Sequence, residues 1–265
     1  TVFDVQHSDA AAGWGSAYAD QVVSVTGGVV TFVGLPPGKK TARVVVQDPA
    51  FAEWGGVEIK VLEGTFADVV RVGDRVDLAG VYVDESSKGR GTTYMLYDDR
   101  TPAEGGYGSS FTVLGSGFAV AATVVSPSLL GAGDVSADPA AAERYEGMLL
   151  EVRDVVVGAL YQGSHNDNYE LIGAGGTCWA SDYMNLDRPP SELYHPDTVT
   201  GRALASVVGI LEQYTHAGEG YDYYQLLTLA PREADEAAVP EPAASALLSA
   251  GVGTIILRRR RHPSD

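Results

Sequence analysis

The chain has 265 residues, 45% of them hydrophobic, and carries 18 Lys and Arg against 35 Asp and Glu, a formal net charge of −17 at pH 7. This size and composition can build one large core or two smaller ones. The negative charge disfavours general affinity for phosphate backbones, because such binding depends largely on cations. Cys178 is the only cysteine, which excludes an internal disulfide, so core packing must hold the fold.

A first set of five β-strands is predicted between residues 21 and 115, after a loose Ala/Gly/Asp-rich lead-in over residues 1–20. The first strand is a long β-branched run from Gln21 to Val33, whose Gly27-Gly28 pair predicts a bulge and strong curvature. Residues 66–74 have room for one short helix or turn ahead of the fourth strand. The other four strands, bounded by Gly, Pro or charged clusters, are Ala42–Gln47, Gly56–Leu62, Arg75–Val83 and Thr93–Tyr97.

The second half repeats this scheme over residues 145–235, after a connector at 116–144 with a short helix or turn from Pro139. Val44–Asp48 matches Tyr169–Ile172, and Val76–Val81 matches Ala205–Ile210, which indicates an internal duplication of a five-strand unit. The predicted strands of this half are Met148–Val157, Tyr169–Ile172, Thr177–Ala180, Ala203–Gln213 and Tyr224–Leu229.

Five short strands with a long bent first strand and a turn between strands three and four describe an OB-type barrel. The segments Val25–Thr31, Val46–Pro49 and Val72–Val76 resemble the OB-fold modules that accompany secreted bacterial nucleases and phosphoesterases. We therefore expect an all-β fold of two tandem OB-like five-stranded barrels plus a C-terminal single helix. An immunoglobulin-like sandwich is the alternative. In the resembled proteins hydrolysis resides in a separate domain after the modules, so we expect this protein not to be an enzyme.

Residues 236–265 form a tail of three ordered parts. Pro240, Glu241 and Pro242 are followed by 15 uncharged residues, Ala243–Leu257, and then by four arginines, Arg258, Arg259, Arg260 and Arg261. A helix over the uncharged run spans roughly 22 Å, short of the roughly 30 Å hydrocarbon core of a membrane. Arginines at one end favour the cytoplasmic side.

This order resembles the PEP-CTERM sorting signal of Gram-negative bacteria. The resemblance implies that the C-terminal helix enters the membrane, that an exosortase removes it, and that the protein is exported through the inner membrane to the cell surface or extracellular matrix, in a setting of exopolysaccharide and biofilm. It also leads us to expect a signal peptide ahead of Thr1. A permanent tail anchor is the alternative.

No catalytic motif, cofactor fingerprint or metal-binding motif is found. His7, His165, His195 and His216 lie in four separate segments without metal-ligand spacing. The oxygen-rich loops at 165–168 and 182–187 contain ligand types that Ca²⁺ uses, but they lack the Asp-x-Asp-x-Asp-Gly order, so ordinary turn chemistry explains them better. We therefore predict no catalytic residues, no metal and no cofactor.

Aromatic residues on the second barrel form the candidate ligand site. The set is Trp179, Tyr183, Tyr214, Tyr223 and Tyr224, with Tyr223 and Tyr224 on opposite faces of their strand. A face of such rings can stack on sugars or unpaired bases, although tyrosines that merely cover the barrel mouth are the simpler explanation. Because Asp182, Glu212 and Asp222 lie nearby and repel phosphates, we expect a neutral polysaccharide ligand.

Two other functions remain open. An extracellular nucleic-acid-binding OB-fold protein would need a basic stripe, for which Lys39, Lys40 and Arg43 are the candidates. An accessory module of a secreted phosphoesterase system is the other. The main interpretation is a non-catalytic surface or matrix interaction protein.

Overall fold

The structure is a computed structural model that describes residues 1–9, 13–35, 40–85, 92–161, 168–184, 198–216, 218 and 220–229. The predicted C-terminal helix and all the sorting-signal residues lie outside these ranges.

The first barrel is built from strands whose positions agree with the sequence pattern. A short helix, α1 (Val2–Gln6), precedes them, and α2 (Phe66–Val69) lies between the third and fourth strands, inside the segment where a short helix or turn was expected. The strands are β1 (Val22–Gly34), β2 (Ala42–Gln47), β3 (Gly56–Glu63), β4 (Arg75–Glu85), β5 (Thr93–Asp98) and β6 (Ser110–Gly115).

Strand pairing closes this sheet into a barrel. The order is β1-β2-β3-β5-β4, and β4 pairs back with β1, while β3 and β5 run parallel. This closed order with one parallel pair is that of an OB fold and excludes the immunoglobulin-like sandwich. β6 adds a sixth strand beside β4 that the sequence pattern did not reveal.

The second barrel has the same topology. After β7 (Thr123–Val124), α3 (Pro127–Leu130) and α4 (Pro139–Glu143), the order β11-β12-β10-β9-β8 closes through β8–β11 pairing, with β10 and β12 parallel. The all-β prediction of two five-stranded barrels is confirmed. The barrel strands are β8 (Leu149–Leu160), β9 (Asn168–Gly173), β10 (Gly176–Ser181), β11 (Ala203–His216) and β12 (Tyr221–Thr228).

The bulge predicted in the first strand is present. The register of β1 against β4 shifts between Val25 and Gly28, and Gly27 has a φ of 74°, a left-handed conformation that suits glycine. The Gly27 amide donates a 2.8 Å hydrogen bond to Oδ1 of Asp77 on β4. The extra residue bends β1 so that its two ends pair with different strands, which is what closes the barrel.

The N-terminal residues differ from the predicted loose lead-in. Val2–Gln6 is a helix capped reciprocally by Thr1 and Asp4, and Val2 is fully buried in the first core. The three-residue separation of Thr1 and Asp4 is the capping-box spacing, with Asp in place of the usual Glu, followed by the buried apolar residue Val5. Gln6 Nε2 also donates a 2.6 Å hydrogen bond to the carbonyl of Gly56, which attaches this helix to β3.

In the part of the chain that the structure describes, hydrophobic clusters lie inside each barrel and between the two barrels. The cluster between the barrels joins Phe32 and Val45 of the first barrel to Ile210 and Leu227 of the second. The backbones also meet, because a Cβ atom placed on Gly56 would lie 2.2 Å from the carbonyl oxygen of Gly147. The two barrels are therefore packed directly against each other.

Candidate functional site

The alternation of side chains along β12 determines which aromatic rings leave the second barrel. Tyr224 and Leu226 point inward and belong to the barrel core. Tyr223 points outward, as the opposite-face prediction requires, and its ring contacts the rings of Trp179, Tyr214 and Tyr221 on the outside of the barrel. Tyr224 is therefore a core residue, and its proposed role as a ligand contact is wrong.

An outer aromatic cluster covers the strands on this side of the second barrel. The ring centroids of Trp179 and Tyr223 are 6.2 Å apart, and those of Tyr214 and Tyr223 are 5.4 Å apart. Tyr161 lies 5.0 Å from Trp179, and Tyr221 lies 6.2 Å from Tyr223. We use the name outer aromatic cluster for these five residues.

The cluster is placed where OB barrels meet ligands. Trp179 lies on the third strand of the barrel, and Tyr161 follows the first strand, at the start of the first loop. Tyr214 and Tyr221 flank the loop between the last two strands. The second and third strands and these two loops are the usual ligand-binding surface of the OB fold.

The aromatic rings are more buried than the exposed platform that the sequence predicted. Trp179 and Tyr223 are 4% and 1% exposed, and with Tyr224 at 0% three of the five predicted rings are interior. Trp179 is held by connector residues, because its backbone amide and its Nε1 donate to the carbonyls of Gly131 and Gly133, at 3.1 and 3.2 Å. The half-buried rings of the cluster are Tyr161, Tyr214 and Tyr221.

Tyr183 lies apart from the outer aromatic cluster. It packs on the cluster between the barrels, with the guanidinium carbon of Arg43 5.4 Å from its ring centroid. Tyr161 and Tyr221 are not in the predicted ligand set, although Tyr221 flanks the same hairpin as Tyr214. Barrel topology was the available signal, since it places the end of the first strand and the last hairpin on one side of the barrel.

The acidic residues expected beside the rings are engaged in internal hydrogen bonds. Asp182 is 3% exposed and accepts from the hydroxyls of Tyr169 and Thr198, at 3.1 and 2.6 Å, so it is not a solvated loop ligand. Asp222 accepts from Nε2 of Gln213 at 2.8 Å. Internal hydrogen bonds therefore hold both side chains in place.

The corresponding face of the first barrel is covered by the second barrel. Along β2, Val44 and Val46 face the core, while Val45 faces outward into the cluster between the barrels. Gln47 also faces the second barrel, and its Oε1 accepts a 2.9 Å hydrogen bond from the amide of Leu149. The outer β2 surface therefore serves as the joint between the barrels.

An ion-pair network lies at this joint. Nη1 of Arg43 is 3.0 Å from Oε2 of Glu58 and 3.4 Å from Oε1 of Glu212 on the second barrel. Both carboxylates raise the pKa of Arg43 against the opposing effect of burial, whereas burial raises the pKa of Glu58. Nζ of Lys60 lies 3.2 Å from the ring centroid of Tyr94.

The ion-pair network removes Arg43 from the basic stripe that nucleic-acid binding would need. Arg43 is paired with two carboxylates and its side chain is 14% exposed, so it is not available for phosphates. Lys40 is exposed, and Lys39 lies outside the described residues. Within the described ranges, the candidate stripe thus contributes one exposed cation.

The thiol of Cys178 and the imidazole of His7 lie in separate parts of the fold, on β10 and after α1. Cys178 is fully buried, and burial raises the pKa of its thiol to about 12. His7 stacks on Phe3 at 4.9 Å, and His165 and His195 lie outside the described residues. Across the described ranges, no group of three or more His, Cys, Asp or Glu side chains is placed to hold a metal ion, and no helix is both long and apolar enough to cross a membrane.

Comparisons with known proteins add only a likeness of fold. No family model matches the sequence, and no curated protein matches it. A murine DNA-binding protein solved bound with double-stranded DNA is 12% identical, with a TM-score of 0.36, covering 77% of this chain and 89% of that one.

Two further similar structures are HIN domains. The tetrameric p202 HIN2 structure is 10% identical with a TM-score of 0.37, covering 80% of this chain and 90% of that one. The p204 HINb domain is 12% identical with a TM-score of 0.38, covering 80% and 95%. These values are too low for an inference about ligands, which therefore rests on the side chains of this chain.

Proposed function

We propose that this chain is a non-catalytic binding protein whose second barrel contacts a neutral saccharide through the rim of the outer aromatic cluster. The observation that carries this proposal is the position of the cluster, on the strands and loops by which OB barrels bind oligosaccharides and oligonucleotides. Trp179 and Tyr223 form its buried support. The half-buried rings of Tyr161, Tyr214 and Tyr221 are the proposed contacts.

Charge favours a neutral sugar over a nucleic acid. Residues 1–238 contain 14 Lys and Arg against 33 Asp and Glu, obtained by subtracting four arginines, Glu241 and Asp265 from the totals for the chain. That difference of −19 opposes the counterion release on which phosphate binding depends. Nucleic acid is the alternative ligand, because OB barrels bind oligonucleotides through the same surface, so DNA is the comparison in the assay.

Truncation of one rim ring should reduce saccharide affinity about tenfold, the loss expected for a stacking contact of about 1–3 kcal/mol. Tyr214→Ala and Tyr161→Ala are the informative variants, because Trp179 and Tyr223 are interior and their truncation would also unfold the barrel. Affinity electrophoresis in gels that contain a neutral glucan measures the effect.

The control for this experiment is Tyr18→Ala, since Tyr18 is 38% exposed and lies on the first-barrel side of the chain. It should leave retention unchanged. Parallel gels with single-stranded and duplex DNA complete the assay. Salt-sensitive DNA binding without glucan retention would establish the nucleic-acid alternative, and equal retention of all three variants would reject the rim as the site.

For the tail we propose export and exosortase processing, with residues 236–265 as the sorting segment. The support is the order of Pro240–Pro242, the uncharged run and Arg258–Arg261. We propose the remaining boundaries as an N-terminal segment at 1–20, barrels at 21–115 and 145–235, and a connector at 116–144.

Processing should leave mature protein without residues 243–265, because the uncharged run is too short to cross the hydrocarbon core of the membrane and ends in a basic cluster. Intact-mass measurement on protein extracted from the surface of the native host tests this expectation. A variant with Arg258–Arg261 replaced by glutamine should accumulate uncleaved. Recovery of the complete tail from the unmodified protein would instead support a permanent anchor.

A further inference from the structure

Two buried glutamates and one half-buried glutamate, contributed by both barrels, lie together near the joint. Glu85 ends β4 of the first barrel, while Glu143 ends α4 and Glu146 follows it at the entry to the second barrel. Glu143 and Glu146 are each 2% exposed. The three carboxyl groups act on one another electrostatically, so the cluster spans the two barrels.

The hydrogen bonds of the cluster satisfy only part of it. The Tyr224 hydroxyl donates to Oε2 of Glu143. The Thr93 amide donates to Oε2 of Glu146 at 3.3 Å, and the Thr93 hydroxyl donates to Oε1 of Glu85 at 2.6 Å. Oε1 of Glu146 and Oε2 of Glu85 are buried without a hydrogen-bond partner among the described residues.

Among the described residues, the titratable groups that act on the cluster bring no positive charge to it. Burial raises the pKa of Glu143 from 4.5 to about 7, with a further contribution from the charge of Glu85. Burial, together with the charges of Glu143 and Glu85, raises the pKa of Glu146 well above its ordinary value. Burial likewise raises the pKa of Glu85. The titratable groups that face the cluster from the neighbouring elements are Glu58, Asp84, Asp222 and Tyr224.

Protonation is the means by which such a cluster can lose its charge. A buried ionised carboxylate without a counter-charge is strongly unfavourable, and the group takes up a proton instead. Within the described ranges the carboxyl groups are not placed to hold a metal ion. The unpartnered Oε1 of Glu146 is an atom to which a proton can be added at no cost in existing hydrogen bonds.

We propose that Glu85, Glu143 and Glu146 form a pH-dependent switch at the joint between the barrels. The switch holds the barrels together while Glu143 and Glu146 are protonated, and the joint loosens when these two groups ionise. The contacts between the barrels at this cluster include the hydrogen bond from the Thr93 amide of the first barrel to Glu146. This bond favours the ionised carboxylate, so the loosening comes from the buried negative charges and their mutual repulsion.

The direction of the pH effect follows from linkage. A carboxyl group whose pKa is higher in the folded than in the unfolded protein binds more protons in the folded state, so stability falls as pH rises between the two values. For Glu143 the window runs from 4.5 to about 7. Its contribution is intact below the lower value and is lost once pH exceeds the upper one.

Glutamine tests the switch because it keeps the shape of the protonated acid and cannot ionise. Glu146→Gln and Glu143→Gln should leave the Tm unchanged at about pH 5 and raise it by at least about 4 °C at about pH 8. Small-angle scattering on the same samples should show the wild-type chain expanding between these two pH values. The Glu143→Gln/Glu146→Gln double variant should stay compact at both.

Glu63→Gln is the matched control, because Glu63 is exposed and lies outside the cluster. It should follow the wild-type pH profile. The proposal is overturned if the cluster variants also follow that profile, if wild-type scattering is the same at both pH values, or if the glutamine variants fail to fold. Saccharide retention has no part in these measurements, so they are independent of the proposed ligand.

Discussion

Replacing Arg43 by methionine is expected to lower the free energy of unfolding by about 3–5 kcal/mol, the cost of leaving buried charges without their partner. Arg43 contacts Glu58 of its own barrel at 3.0 Å and Glu212 of the second barrel at 3.4 Å, and side-chain exposure is 14%, 6% and 14%. Methionine retains most of the apolar stem and removes only the charged group. Urea unfolding followed by tryptophan fluorescence measures the loss.

Arg153→Met is the matched control for this variant. Arg153 forms a pair with Glu151 at 2.6 Å, but its side chain is 56% exposed, so its removal should cost no more than about 1 kcal/mol. Adding Glu58→Gln to the Arg43 variant should recover part of the lost stability, because it removes one of the two carboxylates left unpaired. Equal losses for Arg43→Met and Arg153→Met would contradict the buried network.

Gly147→Ala should destabilise the protein by about 3 kcal/mol, through two effects that act at one position. Gly147 has a φ of 68°, where a side chain costs about 1–2 kcal/mol. Its Cβ atom would also lie 2.8 Å from the carbonyl carbon of Gly56 and from the amide nitrogen of Val57, and overpacking of this kind costs about 1–3 kcal/mol. Both contacts are backbone of the other barrel, so neither can rotate away.

Gly105→Ala separates the two effects. Gly105 has a φ of 83°, and a Cβ atom there would meet nothing within 4 Å. Its alanine variant should therefore show only the conformational cost of about 1–2 kcal/mol. Thermal unfolding of both variants gives the comparison. If Gly147→Ala loses no more than Gly105→Ala, the close approach of the two barrels is wrong.

The barrel architecture was predictable because it depends on local signals. β-branched runs separated by Gly and Pro mark strands, and the Gly27-Gly28 pair marks the bulge that bends the first one. Repetition of the pattern then indicates two barrels. Helix α1 was missed although Thr1 and Asp4 carry its capping signal, because a five-residue helix has too few turns for apolar periodicity to be recognised.

The candidate site was predictable only in part, for a physical reason. Strand alternation gives the face on which Tyr223 lies but not the segments that pack on that face. The connector carbonyls of Gly131 and Gly133, which hold Trp179, are distant in sequence and carry no pattern that indicates this contact. Burial of a ring on the outside of a barrel is therefore a tertiary property, as is the pairing of Arg43 with Glu212.

Because the outer β2 surface of the first barrel is covered, the chain offers one OB-type binding surface instead of two. Two linked binding modules ordinarily gain avidity, because the first binding event raises the effective concentration at the second. Here Val45 and Gln47, which lie where the first barrel would meet a ligand, contact the second barrel instead. A ligand that uses the OB-type surface should therefore bind with a stoichiometry of one per chain, and lengthening a polymeric ligand should bring no gain from engagement of both barrels.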